Sequence, residues 1–196
     1  EDTEGLKRVA EQGSRGWPLW LWRHQQQVMA DSEITPAIMQ TRPLVLYGTP
    51  GSNSVLESMS AQLPIRITAD EIAVADRKLT GSGIGTRFIY PNPRSPNRYV
   101  VVQAAPTLAA VQAGNRLPDF VADYVVYDAE STRSRPRLVF DARRKPLAQG
   151  FFNAHWQVPT VTTAEGSGPD APSNDEALID TGVPWSSLPV PPAPPT

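Results

Sequence analysis

Apolar positions along the chain recur with two periods, one typical of helices and one typical of strands. Leu6, Val9 and Ala10 share one face at helical spacing and predict a short N-terminal helix that ends at Gly13 or Gly16. Short β-prone runs predict strands in six places, at residues 44–47, 65–67, 71–76, 87–90, 98–104 and 124–127.

The clearest local signal is a strand, a tight turn and a helix in succession. The apolar run at residues 44–47 stops at Gly48, and Ser52 or Asn53 then caps a helix with an apolar stripe from Val55 to Leu63. Thr35 and Pro36 open another short helix, and Pro106-Thr107 opens one that ends at Gly114. This mixture of elements predicts an α/β domain.

The expected architecture is a three-layer α/β sandwich around a mixed, mostly parallel sheet, over residues 1–157. A proline-rich turn at residues 91–97 predicts that the strands on either side of it pair antiparallel. Residues 137–141 and 145–152 read as a terminal hairpin or edge feature.

Residues 158–196 have a different composition. From Gln157 onward the chain carries nine prolines and five acidic residues but no lysine or arginine. Such a segment cannot bury enough apolar surface to order itself, which predicts an extended or disordered tail or linker. Its closing run, Leu188–Pro195, is also the kind of segment that an aromatic groove binds.

The turn after the first strand is the candidate ligand site, because α/β sheets bind ligands at the carboxyl ends of their strands. Its binding residues would be Gly48, Thr49, Gly51, Ser52 and Asn53, whose backbone N–H groups could hold an anion or small ligand. The segment lacks the Gly-Lys-Ser/Thr ending of a P-loop and the flanking glycines of a nucleophile elbow. The alternative interpretation is a tight turn followed by a helix cap.

Composition narrows the chemistry. The chain has 196 residues, a net charge of −2 and no cysteine, which excludes a disulfide framework or thiolate metal site and gives no reason to expect nucleic acid binding. No apolar run approaches the roughly 18 residues of a membrane span. The only histidines, His24 and His155, lack metal-ligand spacing, so neither metal nor cofactor is predicted. A small serine hydrolase would have to combine Ser52 or Ser54 with His155.

Three tryptophans near the N-terminus, Trp17, Trp20 and Trp22, predict core or interface anchors, and carbohydrate stacking is the alternative. In a piece of a longer protein, the remainder of the polypeptide or a partner chain would cover them. The chain begins at Glu1 without a start methionine or signal peptide, which favours a piece of a longer protein.

Taken in order from Asp31 to Trp156, several phrases resemble a C-terminal domain of large exported bacterial hydrolases, the prolyl-oligopeptidase-like and esterase-like proteins. The phrases are Asp31-Ser32-Glu33-Ile34-Thr35, Leu44-Val45-Leu46-Tyr47-Gly48-Thr49-Pro50 with Ser52-Asn53, Leu63-Pro64-Ile65, Gly85 before Phe88-Ile89-Tyr90-Pro91-Asn92-Pro93, Arg98-Tyr99-Val100-Val101-Val102, Leu117-Pro118-Asp119 with Asp123-Tyr124-Val125-Val126-Tyr127-Asp128, and Gly150-Phe151-Phe152 with Trp156. One departure is Asn153, where the resemblance leads us to expect an acidic residue.

The resemblance implies an accessory α/β domain, outside the cytoplasm, in a protein whose catalytic residues lie elsewhere. We therefore expect a non-catalytic accessory or interaction domain of a longer exported peptidase or esterase, with no catalytic residue in this chain. The alternatives are the small serine hydrolase and a ligand-binding module at Gly48–Asn53.

Overall fold

A computed structural model describes residues 3–16, 26–118, 121–133 and 145–159. The chain divides into two units after Thr160, and every described residue lies in the first unit, Glu1–Thr160. Several sequence predictions lie outside the described residues: the three tryptophans at 17, 20 and 22, the strand at 137–141, His24, and the tail from Thr160 onward.

Four α-helices and eight strands are present within the described residues. The helices are α1 (Thr3–Gly16), α2 (Pro36–Thr41), α3 (Ser54–Met59) and α4 (Leu108–Gly114). The strands are β1 (Leu44–Tyr47), β2 (Ile65–Ile67), β3 (Glu71–Val74), β4 (Arg77–Thr80), β5 (Gly85–Asn92), β6 (Ser95–Ala104), β7 (Tyr124–Tyr127) and β8 (Ala148–Gly150). None of the helices in these ranges has the length and apolar character of a membrane span.

The strands form two sheets rather than the single sheet expected. The large sheet has the order β1-β6-β5-β7-β8, and the small sheet has the order β2-β3-β4. In the large sheet only β1 and β6 run parallel, and its other three pairings are antiparallel, as are both pairings of the small sheet. The mostly parallel sheet predicted from the sequence is therefore wrong.

The connections explain this difference. A parallel neighbour requires a long crossover, whereas short turns join antiparallel strands. The helix α3 leads from β1 not into a second strand of the large sheet but into β2, which continues through two short turns into β3 and β4. Only two residues, 93 and 94, separate β5 from β6, so this pair is antiparallel as predicted.

The helix starts follow the predicted caps. The Thr35 hydroxyl accepts a hydrogen bond from the Ile38 N–H at 3.3 Å, with Pro36 as the first helical residue. The Asn53 side chain accepts from the Leu56 N–H at 3.0 Å and begins α3. The stripe that predicted a helix as far as Leu63 is helical only to Met59, and a 3₁₀ turn (Ser60–Gln62) completes it.

Alternate residues of the large sheet enter different apolar clusters, as the period of a strand requires. Leu46 of β1 and Val126 of β7 join the main cluster, which also contains Leu56 of α3 and Ile72 of the small sheet. On the opposite face, Tyr127 packs with residues of the α4 region, and a further cluster joins α1 to α4. Strands as well as α3 thus cover one face of the large sheet, unlike the expected sandwich of one sheet between helices.

A buried polar network fastens the helices to the large sheet. Gln103 of β6 is 1% exposed, and its side-chain oxygen Oε1 accepts hydrogen bonds from Arg87 Nε and Nη2 at 3.0 and 2.7 Å. Its amide donates to the Val111 carbonyl and to Asn115 Oδ1, both at 2.9 Å. Asn115 in turn donates to the Val9 carbonyl of α1 at 2.9 Å. The network therefore links α1, α4, β5 and β6.

Candidate functional site

The predicted binding turn lies where the two parallel strands of the large sheet end. The Gly48 N–H, just after β1, donates to the carbonyl of Gln103 in β6 at 3.2 Å. Gly48 has a φ of +100°, a left-handed conformation that glycine adopts without strain. The chain then turns away from the sheet into α3.

A cleft of about 470 Å³ opens beside this turn. Its walls come from the segments that follow β1, β2 and β6, namely Thr49, Pro50, Gly51, Ile67, Thr68, Ala69 and Pro106. Of the five predicted binding residues, Thr49 and Gly51 line this cleft, whereas Gly48, Ser52 and Asn53 do not.

Ser52 and Asn53 have structural roles in the turn. The Ser52 hydroxyl accepts from the Thr49 N–H at 2.8 Å and donates to the Thr49 carbonyl at 3.1 Å. The Asn53 amide donates to the Tyr47 carbonyl at 3.1 Å while its oxygen caps α3. These hydrogen bonds occupy the Ser52 hydroxyl, which a general base would have to contact, and the Asn53 side-chain amide, which a ligand would have to contact.

Ser54 pairs with an acid rather than with a histidine. Its hydroxyl and its backbone N–H both donate to Asp31 Oδ2, at 2.6 and 2.7 Å. The side-chain hydrogen bond from Ser54, followed by the backbone one, lowers the pKa of Asp31. This contact joins the segment before α2 to the first turn of α3 across 23 positions of sequence.

His155, the candidate base of a serine hydrolase, lines a second cavity that shares no lining residue with the cleft. We call this second cavity, of about 360 Å³, the aromatic groove. It is lined by Gln62, Tyr90, Pro91, Asn92, Pro93, Pro96, His155 and Trp156. Neither Ser52 nor Ser54 lines it, so the described residues do not bring the predicted catalytic set together.

Tyr90 and Trp156 line the groove and belong to a cluster of aromatic rings. Trp156 contacts Tyr90 nearly perpendicularly, with centroids 6.0 Å apart and planes at 80°, and it contacts Tyr99 at 5.7 Å. Phe152 lies behind both, 5.8 Å from Tyr90 and 6.1 Å from Trp156. Tyr99 remains 47% exposed, so part of this aromatic surface faces solvent.

A tight loop holds Trp156 in place. Asn153 Oδ1 accepts from the N–H groups of His155 and Gln157 at 2.9 and 3.0 Å, and the Asn153 N–H donates to the Gln157 carbonyl at 2.9 Å. Trp156 itself has a φ of +60°, an unusual conformation for a bulky residue, which the surrounding hydrogen bonds maintain. Asn153, the departure from the resemblance, thus serves as the loop's acceptor.

Sequence reasoning missed this groove because its parts come from the 3₁₀ turn after α3, the β5–β6 turn and the chain after β8. In the sequence, the groove was visible only as two separate parts, the proline-rich turn at residues 91–97 and the aromatic segment at residues 151–156. No group of three acidic or histidine side chains suitable for a metal ion occurs in the described part of the chain.

No family model matches the chain, and neither a curated protein nor a solved structure matches it. The resemblance drawn from the sequence therefore rests on its own residues.

Proposed function

We propose that this chain is a non-catalytic interaction domain, an accessory part of a longer exported hydrolase, and that the aromatic groove is its binding surface. The resemblance from Asp31 to Trp156 supports the hydrolase context and a location outside the cytoplasm. The lack of cysteine is compatible with that location.

The observation that carries the non-catalytic role is the separation of the serines from His155. A serine nucleophile needs its hydroxyl within hydrogen-bond reach of a base, about 2.6–3.2 Å. The Ser54 hydroxyl is instead bound to Asp31 at 2.6 Å, and the Ser52 hydroxyl to the Thr49 carbonyl. His155 borders a different cavity.

The groove supports the binding role because two half-buried aromatic side chains, Tyr90 and Trp156, line it. Aromatic residues are enriched where proteins bind one another, since they bring a large apolar area at a small entropic cost. Here Trp156 is fixed by ring contacts and by the Asn153 loop, so little order has to be gained on binding.

A serine-directed fluorophosphonate probe tests the non-catalytic role on the full chain. We expect no covalent labelling, because neither Ser52 nor Ser54 is hydrogen-bonded to a histidine within the described part of the chain. Labelling that disappears in Ser52→Ala or in Ser54→Ala, with His155→Ala as the partner variant, would overturn the proposal. A known serine esterase labelled in parallel shows that the probe is active.

The position of the cleft favours a second candidate function, small-ligand binding. The cleft lies at the carboxyl ends of the parallel strands β1 and β6, where α/β proteins commonly bind ligands, and its volume is within the usual range. Inorganic phosphate should then raise the Tm of the chain, and Gly51→Ala, which adds a methyl group to the cleft wall, should reduce that shift. An unchanged Tm at millimolar phosphate, or the same shift in Gly51→Ala as in the control Gly83→Ala, would reject phosphate as its ligand.

A further inference from the structure

We infer that the aromatic groove binds an extended proline-rich segment of a partner polypeptide, in the polyproline II conformation. This inference rests on the proposed function only in taking the groove as a binding surface. It adds the chemical class of the ligand.

The shape of the groove matches such a segment. Polyproline II helices have three residues per turn and bind in grooves lined by aromatic rings, on which the proline rings pack. Tyr90 and Trp156 contact each other edge to face, with planes at 80°, and together form one aromatic surface of the groove. Three prolines extend the apolar lining from the end of β5 to the start of β6: Pro91, Pro93 and Pro96.

The groove also offers hydrogen-bond donors. A polyproline II segment has no internal hydrogen bonds, so its carbonyl oxygens can accept hydrogen bonds from the protein that binds it. Gln62, His155 and Trp156 each carry a side-chain N–H and line the groove. Among the described residues, none of these three side chains makes a hydrogen bond to another group of the protein.

Charge favours a neutral ligand. No acidic, lysine or arginine side chain lines the groove. The proline-rich run of this chain, Leu188–Pro195, shows the class of sequence that fits: five prolines in eight residues and no charge. A phosphorylated or acidic peptide would find no cation in the lining.

A carbohydrate is the other neutral ligand that aromatic surfaces bind. Sugar rings stack on one broad exposed ring face, and their hydroxyls pair best with side chains that both accept and donate. The crossed rings and the absence of carboxylates in the groove favour the peptide.

Fluorescence anisotropy of a labelled peptide, LPVPPAPP, tests the inference with the full-length chain. The full-length chain used in this assay carries Pro191→Ala, Pro192→Ala, Pro194→Ala and Pro195→Ala. The labelled peptide then supplies the main proline-rich run. We expect saturable binding of this peptide and none of the same peptide with every proline replaced by alanine.

Variants locate the binding. We expect Trp156→Ala to weaken the peptide at least tenfold and Phe151→Ala to change it less than twofold, because Phe151 is 68% exposed but does not line the groove. Trp156 also packs against Phe152, so thermal unfolding checks that each variant is folded. The double change Gln62→Ala with His155→Ala removes two donors and leaves the contacts between Tyr90, Phe152 and Trp156 intact, and should weaken binding by about three- to tenfold.

Three results would overturn the inference: no saturable binding, equal binding of the alanine peptide, or affinity unchanged in both Trp156→Ala and the donor variant. Trp156-dependent binding of cellohexaose in place of the peptide would assign the groove to carbohydrate and also overturn it. If the peptide does not bind and no serine is labelled by fluorophosphonate, only this inference is refuted and the non-catalytic role is retained. Labelling of Ser52 or Ser54 refutes the non-catalytic role, whether or not the peptide binds.

Discussion

Replacing Gln103 by leucine should destabilise the fold severely. Leucine has a similar volume, so the change removes polar contacts without opening a large cavity. The substitution takes away the acceptor for two Arg87 N–H groups and the donor to the Val111 carbonyl and to Asn115 Oδ1. Arg87 keeps its bond to the Gly114 carbonyl at 2.7 Å.

The size of the effect follows from burial. Gln103 is 1% exposed and Val111 is buried, whereas Arg87 and Asn115 are half-buried, so water replaces the lost partners only in part. Leaving a buried polar group without its partner costs about 1–3 kcal/mol, and two acceptors and one cation are affected here. Allowing for the remaining Arg87 contact, we expect a loss of about 3–4 kcal/mol, a large part of the roughly 5–15 kcal/mol of an ordinary domain.

Urea unfolding followed by circular dichroism measures this loss. With a slope of about 2 kcal/mol per molar, the midpoint should fall by about 1.5–2 M with the slope unchanged. Gln112→Leu, the same substitution on the exposed face of α4, is the control and should change stability by less than about 0.5 kcal/mol. A loss below about 1 kcal/mol for Gln103→Leu would refute the role given to the network.

Three further changes test other parts of the fold by thermal or urea unfolding. Gly85→Ala would push a methyl group into the Tyr127 ring and should cost about 2–3 kcal/mol, whereas Gly83→Ala, with no neighbour within 4 Å, should be nearly neutral; equal effects would contradict the packing. Ser54→Ala should cost about 1 kcal/mol at neutral pH, because this partly exposed bond stabilises ionised Asp31. Since the pKa of Asp31 is lowered on folding, that contribution is present above its unfolded pKa and should disappear as the pH falls through the folded value; a difference that persists in acid would be inconsistent. Burial raises the pKa of Tyr127, so stability should fall as the pH rises above about 10, and Tyr127→Phe should reduce that fall while losing the bond to the Ala110 carbonyl.

Local signals in the sequence were sufficient for individual elements. Thr35 before Pro36 marks a helix start whether or not the rest of the fold is known, because the cap and its N–H partner lie within one turn. The short proline-rich turn between β5 and β6 likewise leaves the chain no length for a crossover.

Sheet topology could not be read in this way. Nothing in the run after α3 tells whether β2 returns to the large sheet or starts another, since either choice buries Ile65 and Ile67. The strand β4 was missed because its residues are mostly exposed and carry no alternating pattern. The sequence also predicted the turn at Gly48 correctly as a strand-to-helix connection, while its role as a binding site stays a prediction.

The aromatic groove could be identified only from the tertiary structure, because Gln62, Tyr90 and Trp156 are remote in sequence. Distance along the chain likewise does not reveal which cavity a side chain lines. Ser54 meets Asp31, and His155 meets the groove.

One measurement tests the accessory role most directly: fluorophosphonate labelling of the native protein from its source, followed by intact mass and peptide mapping of the labelled serine. We expect a polypeptide longer than the 21.4 kDa of this chain, with the labelled serine outside residues 1–196. A native protein of 21.4 kDa that begins at Glu1, or a label on Ser52 or Ser54, would contradict the role of an accessory domain without its own catalysis.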